Sequence, residues 1–197
     1  MPNLRYIIKK GFEIEEVIQE LAHLRITVFR AFPYLYEGSF EYEKEYLKTY
    51  INSSKSFLFS VYDGDKMVGA TTCIPLSDET PDVQEPFIKA GMNLDKIFYF
   101  GESILLPEYR GFGLGHRFFD ERESHAASFG TYSTTCFCGV VRPENHPLQP
   151  TDYKPLDEFW TKRGYKKQPQ LQSQFDWLDI GEQESTTKPM IYWSKEL

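Results

Sequence analysis

The stretch Ile97-Phe98-Tyr99-Phe100-Gly101-Glu102-Ser103-Ile104-Leu105-Leu106-Pro107-Glu108-Tyr109-Arg110-Gly111-Phe112-Gly113-Leu114-Gly115 decides the fold, together with the run to Phe129 that follows it without Gly or Pro. Aromatic and β-branched residues make its first part a strand, and Pro107 stops that strand. Apolar residues then recur at helical spacing beyond the glycines. Gly111, Gly113 and Gly115 let the backbone turn sharply and approach a ligand closely, so successive N–H groups and a helix N-terminus can surround an anion. The outline is a phosphate cradle. Glycine spacing alone also serves ordinary turns and dinucleotide-binding folds.

Working outward, residues 56–62 and 67–76 flank Asp63-Gly64-Asp65 and predict a β-hairpin. Residues 4–9 alternate loosely as an edge strand closed by Gly11. Ile14, Val17, Ile18, Leu21, Leu24, Val28 and Phe29 recur at three and four, an amphipathic helix that ends before Pro33. Arg25 falls on that apolar arc, where it snorkels, pairs with a carboxylate or reaches a substrate cleft. The aromatic loop Phe32-Pro33-Tyr34-Leu35-Tyr36-Glu37-Gly38 leads to a second helix over 40–51. Its rings either cover the core or wall an amine pocket. Residues 81–93 read as a short helix or ordered loop with Gly91 as its C-cap. Downstream, 131–141 is β-rich, and the proline-dense 143–150 is a loop. Asp152 is placed to cap a helix running to about Lys162, with Pro155 in its first turn and Gly164 as its stop. Residues 171–180 and 190–193 are the last candidate strands.

At 197 residues the chain suits one domain over 1–197, long enough to bury about 70% of its unfolded surface. With 41% hydrophobic and 26% charged residues it has globular composition. No apolar run approaches a membrane span and the N-terminus has no signal-peptide core, so the expected compartment is the cytoplasm with no membrane partner. A net charge of −7 without a Lys/Arg cluster argues against nucleic acid. Cys73, Cys136 and Cys138 have no zinc-ligand spacing, which favours reduced thiols over a metal site.

Residues Leu105 to Gly115 resemble the signature of the GCN5-related N-acetyltransferases: a hydrophobic strand end, a Pro-x-Tyr turn, then Arg/Gln-x-x-Gly-x-Gly/Ala. Phe159-Trp160-Thr161-Lys162-Arg163-Gly164-Tyr165 is similar to a later segment of the same family, and the order of elements follows it. The resemblance implies a mixed α/β fold, a central, mostly antiparallel twisted sheet of about six to seven strands flanked by about four helices. It also implies direct transfer of the acetyl group of acetyl-CoA to a primary amine of a small molecule or a peptide amino-terminus. The oligomeric state stays open, a homodimer included.

Site residues follow from the same resemblance. Arg110, Gly111, Phe112, Gly113, Leu114, Gly115 and His116 match the pyrophosphate cradle, and act there chiefly through backbone amides. Ser103, Ile104 and Leu105 match the strand segment that faces pantetheine and thioester. Glu102 matches the position of the acid that deprotonates the amine, the alternative being an ion pair, for instance with Arg25. Tyr34, Tyr36, Glu37 and Arg25 are the acceptor-side candidates. Asn145 resembles a coenzyme-contacting Asn, although a Pro-rich insertion separates it from Trp160. That insertion either interrupts the correspondence or folds over the site as a lid.

One departure matters. Many members place a proton-donating Tyr where this chain has Trp160, and an indole cannot deliver a proton at neutral pH. Tyr153 or Tyr109 would have to substitute, or the thiolate leaves unassisted. A non-catalytic acyl-CoA sensor or scaffold is the alternative that this departure raises. A dinucleotide oxidoreductase is disfavoured, because the loop lies mid-chain and lacks the acid that such folds place about 20 residues on.

Overall fold

The computed structural model describes residues 4–197. Seven strands are present among them: β1 (Leu4–Lys10), β2 (Phe57–Asp63), β3 (Lys66–Pro75), β4 (Ile97–Leu105), β5 (Thr134–Val140), β6 (Lys166–Trp177) and β7 (Thr186–Glu196). The α-helices are α1 (Ile18–Phe29), α2 (Phe40–Asn52), α3 (Pro81–Lys89), α4 (Leu114–Ser128) and α5 (Asp157–Lys162), five rather than about four. The strands form one sheet in the order β1-β2-β3-β4-β5-β7-β6. Each neighbouring pair is antiparallel except β4 and β5, which run parallel because α4 carries the chain back between them.

The hairpin is a two-residue connection, Gly64-Asp65, since Asp63 pairs directly with Lys66. Gly64 takes a positive φ of 59°, the backbone that short hairpin turns favour. Ser39 accepts a hydrogen bond from the Tyr42 amide and so caps α2. Gly91, at φ 70°, ends α3 just past its last residues.

A bulge sets the direction of the key side chain. Thr71 pairs with Ser103 and Cys73 with Phe100, so Gly101 and Glu102 together oppose Thr72. In an unbroken strand Glu102 would share a face with Phe100. The extra residue turns it over instead: Phe100 meets Phe119 of α4, whereas Glu102 meets Arg25 of α1. Gly101 has to be glycine here. A Cβ on it would lie 2.0 Å from Tyr50 Oη and 2.7 Å from Thr72 Oγ1.

Three expectations are corrected. The first helix opens as a 3-10 segment over Gly11–Val17, and its α-helical part starts only at Ile18. Asp152 caps nothing, because α5 begins at Asp157 and residues 152–156 remain loop. β6 begins at Lys166 rather than near 171, and its Pro169 sits at a register shift on this edge strand, where a missing N–H is tolerated.

Candidate active site

β4 and β5 pair only over Ile97–Tyr99 with Thr134–Cys136. Beyond that they diverge, since β5 follows β7 while β4 stays on β3. The wedge between them opens into a cleft of about 1170 Å³. Phe100, Glu102, Ser103 and Leu105 line it from β4, and Phe137 to Val140 from β5. The 110–116 loop closes one end.

That loop is shaped to receive an anion. Gly111 and Gly113 have φ of 83° and 80°, and a Cβ on either would meet nothing within 4 Å, so the space before them is open. Gly113 is the N-cap of α4, has no side-chain capping bond, and no acid stands in the first turn. The first helical bond of α4 is Arg117 N–H to Gly113 C=O at 3.2 Å. The amides of Leu114, Gly115 and His116 therefore have no helical acceptor and face the positive end of the helix dipole. Arg110 stays beside the loop by donating to the Leu105 carbonyl at 3.3 and 3.2 Å. These residues fit a pyrophosphate held by backbone N–H groups.

Glu102 is 3% exposed. Its Oε2 accepts a hydrogen bond from Arg25, which also donates to Glu43. The guanidinium is held between two carboxylates with the Tyr46 ring 4.5 Å away. Glu102 Oε1 accepts no hydrogen bond. Burial lifts the Glu102 carboxyl above the ordinary carboxylate range, although Arg25 pulls the other way. Burial also pulls the Arg25 pKa down, but its two carboxylate neighbours more than offset that and hold it well above normal.

The remaining candidates divide. Tyr34, Arg110, His116, Tyr153 and Trp160 line the cleft, while Asn145 and Arg25 do not. Ile104 and Leu114 are buried, so these two are available only through their backbone, and the exposed Phe112 is not part of the cleft lining. Of the acceptor-loop candidates, Tyr36 and Glu37 point away. The Tyr36 amide is tied to the Phe29 carbonyl and its ring packs toward Tyr42, and Glu37 pairs with Arg30 at the surface at 2.6 Å. Tyr109 donates to Asp63 at 2.8 Å, outside the cleft. Trp160 is a packing residue, 5.0 Å from Phe137 and 5.2 Å from Trp193, with its ring edge on Gly139.

The Pro-rich insertion lines the cleft. Phe32 meets His146 at 5.6 Å and Tyr153 at 4.6 Å, which joins the insertion to the loop after α1. Arg142 fixes the same loop, donating to the carbonyls of Pro33 and Tyr34 at 2.7 and 2.6 Å and to Asp179 at 2.6 Å. Glu43 was not among the sequence candidates. Its signal was available: it stands at helical spacing with Leu47 and Tyr50 on the buried face of α2, an acid where an apolar residue belongs.

No family model matches the sequence, and no curated protein matches it. Solved structures do match in fold. An acetyltransferase of the GNAT family from Streptococcus pneumoniae is 12% identical, with 98% of this chain and 100% of that chain covered and a TM-score of 0.57. NAA60 from Arabidopsis thaliana, solved in complex with a bisubstrate analogue, is 9% identical over 98% and 99% at 0.59. A ribosomal-protein-alanine N-acetyltransferase from Brucella melitensis is 12% identical over 97% and 99%, also at 0.59. The shared architecture spans nearly the whole of each chain, and this protein has the fold of the GNAT acetyltransferases.

Proposed function

We propose that this protein is an acyl-CoA-dependent N-acyltransferase that passes the acetyl group of acetyl-CoA to a primary amine. The observation that carries the reading is the continuity of one cleft: uncapped α4 amides at one end, the unpaired edge of β4 along its wall, and Glu102, with a buried Oε1 that has no hydrogen-bond partner, in its lining. Acetyl-CoA would supply the activated thioester. The amides of Leu114, Gly115 and His116 would hold its pyrophosphate, and Ser103 to Leu105 would pair with the pantetheine arm as an added strand does.

Glu102 has the chemistry of the base. Arg25 holds Oε2 and fixes the carboxylate plane, which leaves Oε1, buried and without a hydrogen-bond partner, as the oxygen that would take the ammonium proton, relayed through an ordered water. Its raised pKa brings proton affinity toward the working pH. On the leaving-group side, Tyr153 Oη is the candidate donor. Burial raises its pKa, so it keeps its proton at neutral pH.

The acceptor is a small-molecule amine or a peptide amino-terminus reached past Phe32 and Tyr34. Thiol release from acetyl-CoA, measured against polyamines, amino acids, aminoglycosides and peptide amino-termini, tests the reading. Turnover with one class is expected. Binding of coenzyme A without turnover on any class would favour the acyl-CoA sensor, the reading that Trp160 in the place of a proton donor supports.

A further inference from the structure

Arg122 is an arginine on the buried face of α4, 2% exposed, at a position where the apolar arc of the helix calls for a hydrophobic side chain. Its guanidinium lies between two rings, 4.4 Å from the centre of Phe100 and 4.6 Å from that of Phe119. Nε donates to the Phe118 carbonyl at 3.2 Å and Nη1 to the Glu102 carbonyl at 3.4 Å. Nη2 donates to no protein group, and it is not one of the sealed, partnerless atoms of the interior, which among the described residues are Glu43 Oε1, Glu102 Oε1 and Arg163 Nε. Arg122, Phe100, Phe119 and Phe137 all line the wedge between β4 and β5.

Among the described residues no carboxylate forms an ion pair with this cation, although Glu123 and Glu102 act on it from a distance. Glu123, its neighbour on the helix, is committed to Arg163 at 3.1 Å, Lys195 at 2.9 Å and the Tyr165 hydroxyl at 3.1 Å. The Glu102 carboxylate lies on the other face of the sheet, bound to Arg25. Burial pulls the Arg122 pKa down, as expected for a guanidinium short of counter-charge. A buried cation held by carbonyls and ring faces alone is costly, and an anion entering the wedge would offset that cost.

We propose that Arg122 forms a carboxylate subsite at the floor of the wedge, so that the preferred acyl donor is a coenzyme A thioester of a short dicarboxylic acid. The inference rests on the coenzyme A reading above. It keeps the coenzyme A thioester and the amine acceptor of that reading and replaces acetyl by a longer, charged acyl chain as the preferred group. The Glu102 carbonyl that Arg122 holds is one residue from Ser103, the start of the thioester-facing segment, which puts the guanidinium on the wall along which a short acyl chain would lie. The phenyl rings of Phe100, Phe119 and Phe137 would enclose the methylenes between the two ends. A planar guanidinium with its edge free suits a carboxylate and not a methyl group.

Calorimetric titration tests this on binding alone. The probes are coenzyme A, acetyl-CoA, succinyl-CoA and isocaproyl-CoA, the last a neutral counterpart with two methyls in place of the two carboxylate oxygens. The expected result is that succinyl-CoA binds at least about tenfold more tightly than isocaproyl-CoA. Arg122→Met, which keeps an unbranched chain between the two rings, is expected to abolish or reverse that preference while coenzyme A itself still binds. Equal or tighter binding of isocaproyl-CoA by the unsubstituted protein overturns the proposal, and that comparison stands even if the variant fails to fold. Binding of acetyl-CoA with no preference for the charged chain would overturn this inference and leave the coenzyme A reading intact. Failure of all four thioester and thiol probes would overturn both.

Discussion

A single extra residue in β4 gives the Glu102 side chain its direction. Because Gly101 and Glu102 share one partner, the carboxylate turns from the α4 face to the α1 face, where Arg25 and Glu43 receive it. The pairing candidate, Arg25, was legible as a charge on an apolar arc. The bulge was not, since it depends on how Thr72 of a strand 30 residues away registers against the chain. Two outcomes follow at this scale. Gly101→Ala forces a methyl into the Tyr50 hydroxyl, which is itself bonded to Glu79 at 2.9 Å, and should cost about 1–3 kcal/mol in urea unfolding. Glu102→Gln should keep coenzyme A affinity and lose on the order of 10²-fold or more in turnover. A Glu102 acting as the proposed base works deprotonated and burial raises its pKa, so the wild-type rate should climb with pH through a limb lying above the ordinary carboxylate range. The residual rate of Glu102→Gln should lack that limb, and a limb unchanged in the variant would assign it to another group.

At the scale of elements, the strand, loop and helix over residues 97–128 were readable because each signal is local: β-branched and aromatic residues, then Pro107, then glycines, then a helical period. The 63–66 hairpin was readable for the same reason. The start of α5 was misread because Asp152 and Pro155 look like a cap and a first turn, whereas Phe32 draws Tyr153 into a loop that lines the cleft. Arg142 reaches carbonyls more than 100 residues away in sequence, and no local pattern announces that. Local signals thus located the glycine loop, and long-range contacts built the opposite wall of the cleft. Gly113→Ala isolates the cradle. Its Cβ would meet no protein atom, so the cost is the positive φ alone, about 1–2 kcal/mol of stability, while the methyl enters the anion's space. Calorimetry should show coenzyme A affinity falling by about tenfold or more, and an unchanged affinity would place the pyrophosphate elsewhere.

Across the whole molecule, the mixed sheet was expected from the order of elements and the resemblance, and the observed seven strands agree with it. What that order could not supply is the place where the sheet fails. The parallel pair β4 and β5 holds for three residues and then parts, and the cleft exists because it does. An open sheet interior carries unpaired backbone groups and, here, a buried carboxylate oxygen without a partner, features that a ligand would satisfy. Stability should therefore be linked to ligand. The most direct measurement is a thermal-unfolding titration of the intact chain with acetyl-CoA and with coenzyme A. At about 100 times the dissociation constant, binding adds about 2.7 kcal/mol, which for a chain of this size raises Tm by roughly 5–10 °C. A saturating rise with both compounds is the predicted result, and a melting temperature that neither compound moves would contradict the account.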